Sequence, residues 1–286
     1  MLILDYDVKE VFDLVESFAF KESYRCEDLI EIVRILRAPG GCPWDAEQTH
    51  ESIRKNFIEE TYEVIEAINK NNPAMLREEL GDVLLQVALH TQMEAEQGSF
   101  TFDDVCDEIV KKLIIRHPHV FGDVRVDSTD EVLTNWDAIK RQTKAQKTTA
   151  ESMASVPREL PALMRAQKLQ HKAAKVGFDW DSVEGALQKV EEETNEAAQA
   201  LGQNDPAHIT EELGDLLFAV VNVCRFAGVD AEEALTEASD KFQHRFSYVE
   251  RTAAERSLDM KTAGIEALDA LWEEAKKKET TGCTDL

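Results

Sequence analysis

One arrangement of acidic residues occurs twice in this chain, in one order and at one spacing, and it limits the fold more than any other feature. Glu59-Glu60-x-x-Glu63 is matched by Glu192-Glu193-x-x-Glu196, and Glu79-x-x-Asp82 by Glu212-x-x-Asp215. In both copies the last Glu of the first motif lies 16 residues before the first Glu of the second. Each second motif encloses a glycine, Gly81 or Gly214, and runs into an apolar stretch. Lys112-x-x-x-Arg116 pairs in the same order with Lys241-x-x-x-Arg245, and Trp136-x-x-x-Lys140 with Trp272-x-x-x-Lys276. Upstream, Gly41-Cys42-Pro43-Trp44-Asp45 resembles Gly177-Phe178-Asp179-Trp180-Asp181. An ordered series of matches is the mark of an internal duplication. The chain therefore reads as two related domains.

The apolar residues recur with a helical period, and the alternation and hairpin turns of strands are scarce. The expected class is all-α, two tandem helical bundles. Helices are expected near 8–21, 26–38, 51–70, 74–97, 102–116 and 129–146, then near 158–176, 183–202, 206–228, 230–256 and 261–279. Breaks fall at Ala38-Pro39-Gly40-Gly41, Asn71-Asn72-Pro73, His117-Pro118 and Gly177. The division that follows is an N-terminal extension of unknown role over 1–25, a first domain over 26–146, a linker over 147–157 and a second domain over 158–286. The linker belongs to a polar stretch that starts at Lys144 and ends in Pro157.

Charge narrows the partners. Fifty-seven acids against 32 bases give a net charge of −25, which repels nucleic acid and anionic membrane alike. Five cysteines without a CxxC pair read as free thiols rather than a disulfide frame or zinc site. No apolar run reaches 18 residues, and the acidic start does not resemble a signal peptide, so the expected location is the cytoplasm.

A Glu-rich helix face is usually only solvated. The second motif of each pair changes that reading, because Glu212 and Asp215 interrupt Leu213, Leu216, Leu217, Phe218, Val220 and Val221, an almost all-round apolar run. Glu79 and Asp82 interrupt a similar run. Helices of this kind are expected to be buried on most sides, and an unpaired buried carboxylate costs several kcal/mol. The short connections at Pro73 and Pro206 make the two acidic helices of each copy antiparallel neighbours, with four or five carboxylates expected around one spot. Glu59, Glu60, Glu63, Glu79 and Asp82 in the first copy, and Glu192, Glu193, Glu196, Glu212 and Asp215 in the second, are the candidate metal ligands. Oxygen donors without histidine at ligand spacing fit Mg²⁺ or Mn²⁺ better than zinc. The EF-hand loop and the P-loop are absent, and Glu47-x-x-His50 has no second copy to build a di-iron bundle.

Other residues suit a phosphorylated ligand. Lys241 and Arg245, like Lys112 and Arg116, lie four apart on one helix face and could clamp phosphoryl oxygens. Trp272 and Lys276 offer a stacking plane beside a cation, and Asn222 lies two turns beyond Asp215 amid apolar neighbours.

The strings "EETYEVIEAI…REELGDVLLQV" and "EEETNEAAQAL…EELGDLLFAVVN", with "GCPWD", "RHPHVFGD" and "KFQHRF", resemble the MazG nucleoside triphosphate pyrophosphohydrolases over roughly residues 26 to 279. The resemblance implies an all-α NTP pyrophosphatase fold, a tight homodimer, and Mg²⁺-dependent hydrolysis of NTPs and dNTPs, noncanonical ones included, to monophosphate and pyrophosphate. By position it makes Glu192, Glu193, Glu196, Glu212 and Asp215 the catalytic metal cluster, with Lys241, Arg245, Trp272 and Lys276 on the nucleotide. It also places the main activity in the second domain, where Asn222 stands against Leu89 in the first. His208 occupies a position where the family often has lysine. Two other readings stand beside it: a nonenzymatic helical protein that senses nucleotides, and a narrower all-α dUTPase.

Overall fold

The structure is a computed structural model of the chain, and the residues it describes are 18–126, 128, 129, 131, 132, 135, 136, 139 and 148–280. Among them no strand occurs. The chain divides into two compact units, Met1–Lys140 and Arg141–Leu286. The first contains α1 (Cys26–Arg37), α2 (Pro43–Glu47), α3 (His50–Asn69), α4 (Pro73–Glu96), α5 (Phe102–Arg116) and α6 (Pro118–Phe121). The second contains α7 (Thr149–Ala154), α8 (Ala162–Ala174), α9 (Val183–Gln203), α10 (Pro206–Ala227), α11 (Ala231–Glu255) and α12 (Ile265–Thr280).

The long helices fall where the apolar period places them, and the differences have local causes. α8 starts at Ala162 rather than near 158, because Pro161 can precede a helix but not sit inside one. α12 starts at Ile265 rather than 261, after Gly264 turns the backbone left-handed at φ 77°. The short helices α2, α6 and α7 have no periodic signature, and α7 lies within the stretch expected to be a linker. Of the helix expected near 8–21, residues 18–21 are not helical and the rest lies outside the described residues. Much of the one expected near 129–146, with Lys140, also lies outside them.

Each unit is organised by an antiparallel pair, α3 with α4 and α9 with α10. The duplication is visible in the turn that makes each pair. In the register that sets Glu59 on Glu192, Asn71 falls on Asn204, and both take left-handed backbone, at φ 48° and 57°. Asparagine tolerates that region better than most residues. Next, Asn72 caps α4 by accepting the N–H groups of Ala74 and Met75, and Asp205 caps α10 by accepting that of Ala207. Pro73 and Pro206 then fill the first helical position, where an N–H would go unused.

The expectation that α4 and α10 are buried on most sides needs correcting. Leu80 and Leu84 on α4, and Leu213, Leu217, Phe218 and Val220 on α10, are exposed in the single chain. α10 packs on α9 and α8 and only lightly on α11, so the rest of its apolar circumference meets solvent. Asp215, expected to point into protein, is exposed as well. Burial is real on the covered side, where Val221 and Ala219 are inside.

Candidate active site

In the second unit, α9 and α10 bring Glu193, Glu196 and Glu212 together, with one carboxylate oxygen from each lying within 4.8 Å of the others. In the first unit, α3 and α4 do the same with Glu60, Glu79 and Asp82. The expected four or five ligands thus contract to three in each unit, and the two sets are not the same by position. Glu192, on the exposed side of α9, and Asp215 stay outside the second set, as do Glu59 and Glu63 outside the first. Glu63 is nevertheless close enough for its carboxylate to raise the pKa of both Glu60 and Glu79.

The clusters are electrostatically costly. Desolvation, then the neighbouring Glu193 and Glu212 carboxylates, raise the Glu196 pKa. Desolvation, then the Glu63 hydrogen bond and Asp82, raise that of Glu60, and desolvation with the Glu63 charge raises that of Glu79. Glu193 is only 5% exposed. Lys189, one turn earlier on α9, places its ammonium 2.6 Å from Glu193 and 2.8 Å from Glu192, and those bonds push its own pKa upward. His208 lies 3.0 Å from Glu212. Three convergent hard oxygens that repel one another, already drawing in a lysine, fit a hard divalent cation.

Glu193 also forms part of the wall of a cleft of about 800 Å³. Asp215, Asn222 and Lys189 share that wall with Trp180, Phe178 and Phe218, and α8 contributes Gln170 and Ala173. Gly185 lets Trp180 lie close, since a Cβ there would come 3.1 Å from the indole. Arg225 fixes two elements at once, donating from Nε to Asn222 Oδ1 at 2.9 Å and pairing with Asp179 of the Gly177–Asp181 loop.

Four positions of the cleft wall carry larger side chains in the first unit. In the registers of the repeats, Ala173, Ala186, Ala219 and Asn222 correspond to Arg37, Ile53, Gln86 and Leu89. Ile53 and Leu89 join Val33, Ala88 and Met93 in a packed core. The Arg37 guanidinium is buried on Glu96 and the carbonyls of Asp45 and Gln48. At two positions that line the cleft or its floor in the second unit, Ala186 and Asn222, the first has the core residues Ile53 and Leu89.

The remaining candidates do not line the cleft that holds Glu193. Arg245 forms a double hydrogen bond with Glu279 and stacks 5.7 Å from the Trp272 ring centre. Lys276 pairs with Glu273, and these groups line a separate groove of about 450 Å³. Trp272 rests its other side on the core formed by Val249, Ala253 and Leu271. Lys241 is exposed on α11, and Lys112 and Arg116 lie at the end of α5. Sequence reasoning passed over Lys189, Trp180, Gln170 and Arg225. Lys189 left a signal in its i,i+3 and i,i+4 spacing to Glu192 and Glu193, which is commonplace on solvated helices, and Trp180 left one in its match to Trp44, which marks the duplication but not the cleft.

An all-α tandem of carboxylate-bearing helix pairs defines a class, and comparison with known proteins specifies it. The family model described as the MazG nucleotide pyrophosphohydrolase domain matches residues 48–121 and again 181–249. The chain belongs to this family. It is 46% identical over 254 residues to the nucleoside triphosphate pyrophosphohydrolase of Escherichia coli K12, covering 88% of this chain and 97% of the relative. The Thermotoga maritima nucleoside triphosphate pyrophosphohydrolase/pyrophosphatase MazG is 45% identical over 255 residues, 89% of this chain and 97% of the relative. A Mycobacterium tuberculosis nucleoside triphosphate pyrophosphohydrolase is 34% identical over 238 residues, 82% of this chain and 61% of the relative.

Proposed function

We propose that this nucleoside triphosphate pyrophosphohydrolase works from the second unit, with the nucleotide in the α8–α10 cleft and the triphosphate against Glu193 and its neighbours. One observation carries the reading: Glu193 belongs to both the carboxylate cluster and the cleft wall. Glu193, Glu196 and Glu212, with Glu192 and Asp215 beside them, would hold Mg²⁺. When bound, the ion would neutralise the cluster and polarise phosphate oxygens. Water attacks the α-phosphorus as the bond to the bridging oxygen of the β-phosphate breaks, giving the monophosphate and pyrophosphate. One clustered carboxylate takes the proton from that water. Lys189 turns from Glu193 to the phosphate oxygens, an ammonium placed where negative charge develops. Trp180 and Phe178 offer aromatic faces to the base.

The substrates in this reading are nucleoside triphosphates, including noncanonical ones, rather than nucleic acid, which a chain of net charge −25 repels. Four free cysteines among the described residues, Cys26, Cys42, Cys106 and Cys224, and the lack of any described helix able to cross a membrane support a cytoplasmic setting. The uncovered apolar strip of α10 supports a homodimer, since Leu217 alone is 58% exposed. Lys241, Arg245, Trp272 and Lys276 enter the proposal as nucleotide contacts of that assembly, because they do not line the Glu193 cleft of the single chain. Incubation with Mg²⁺ and a panel of NTPs and dNTPs tests the reading. Pyrophosphate release across several bases is expected. Binding without turnover returns the sensor reading, and strict uracil selectivity the dUTPase reading.

A further inference from the structure

Gln170 on α8 is 7% exposed and belongs to the wall of the cleft. Its Nε2 donates to the backbone carbonyl of Phe218 at 2.8 Å. A flipped amide would set oxygen against oxygen, so this bond fixes which way the group stands. Its Oε1 is buried and finds no donor among the described residues. A buried acceptor left without a donor is costly, and in a folded protein such an atom calls for a reason. Nearby polar groups on the wall are already engaged: Asn222 Oδ1 by Arg225, Arg225 by Asp179, and Glu193 by Lys189. The side chains lining the cleft with Gln170 include the apolar Leu169, Ala173 and Ala219 and the aromatic Trp180 and Phe218, surroundings suited to a flat ring.

We propose that Gln170 reads the nucleobase, its Oε1 accepting a hydrogen bond from an amino or imide N–H of the base in the cleft. The proposal rests on the cleft being the nucleotide site. Every common base carries such an N–H, as do deaminated purines, so one fixed acceptor admits many bases. It rejects a ring without a donor, because that ligand fills the cleft and leaves Oε1 unpaired.

The test compares adenosine and inosine triphosphates with purine riboside triphosphate, whose ring has no N–H to offer. In the wild-type protein kcat/KM is expected to favour the first two by at least about tenfold, mostly through KM. Gln170→Met is expected to bring the ratio to about one, again through KM, with kcat at saturation retained. A wild-type protein that shows no preference overturns the proposal without any variant. So does a Gln170→Met protein that lowers all three substrates alike, which is the mark of a merely structural amide. Ala173→Arg, which copies the first unit by filling the cleft, separates this from the site assignment. Full turnover in Ala173→Arg overturns the cleft as the nucleotide site. Lost turnover there, with an unchanged base ratio in Gln170→Met, overturns Gln170 alone.

Discussion

Glu193 answers to two surroundings, a nearly closed interior and a row of like charges on Glu196 and Glu212. Lys189 relieves part of that repulsion in the protein by itself. Replacing the carboxylate while keeping its shape separates chemistry from packing. Glu193→Gln is expected to lower kcat by about 10²–10⁴-fold, a range typical of losing a positioned acid–base group, with the helical circular dichroism intact. Gly185→Ala acts on the wall instead. Its new methyl would meet Trp180 at 3.1 Å, so KM should rise several-fold with little change in kcat. That acidic side chains of neighbouring helices converge was legible in their recurrence in register, but which three of the five in each unit come together was not. Lys189 and Gln170 were not legible either, and Trp180 showed only as the repeat of Trp44. A lysine one turn before a glutamate is ordinary, a loop tryptophan has no period, and a glutamine shows its orphaned oxygen only once Phe218 is placed beside it.

At the scale of the element, the helix pair depends on its turn. Asn204 holds left-handed backbone at φ 57°, which most side chains resist by about 1–2 kcal/mol. Asn204→Ala should therefore lower stability by about 1 kcal/mol, and Asn204→Gly should not, as read from urea midpoints. The turn was legible as asparagine before proline, and the helices as apolar periods. The extent of burial was not, because a helix that is apolar all round does not reveal whether its cover comes from its own chain. In the other pair, His50 at the start of α3 faces His90 on α4, Nδ1 to Nδ1 at 2.7 Å, while its Nε2 meets Glu94. Burial, and then the His50 ring, hold the His90 pKa below the usual histidine range. The unfolded chain thus takes up this proton at higher pH than the native one. The part of the stability that depends on a neutral His90 is full above the ordinary range and is lost as pH falls from there to the lowered value. His90→Asn should flatten that slope in urea midpoints measured against pH.

At the scale of the molecule, one duplicated plan has two fillings. The first unit keeps a carboxylate cluster but packs Ile53 and Leu89 into core, whereas the second keeps Ala186, Ala219 and Asn222 beside a cleft. The duplication itself was plain in the sequence. The difference was only glimpsed, at Leu89 against Asn222, because alanine against arginine or glutamine signifies nothing until the helices are packed. If the cleft decides, Glu60→Gln with Asp82→Asn should leave most turnover in place, while Asp215→Asn should remove most of it in the same assay. The most direct test of the whole account is hydrolysis of an NTP with Mg²⁺ in water carrying heavy oxygen, with the products separated by mass. The label is expected in the monophosphate and not in pyrophosphate, with turnover lost in Glu193→Gln. Label in pyrophosphate, release of orthophosphate as the first product, or full turnover in that variant would contradict it.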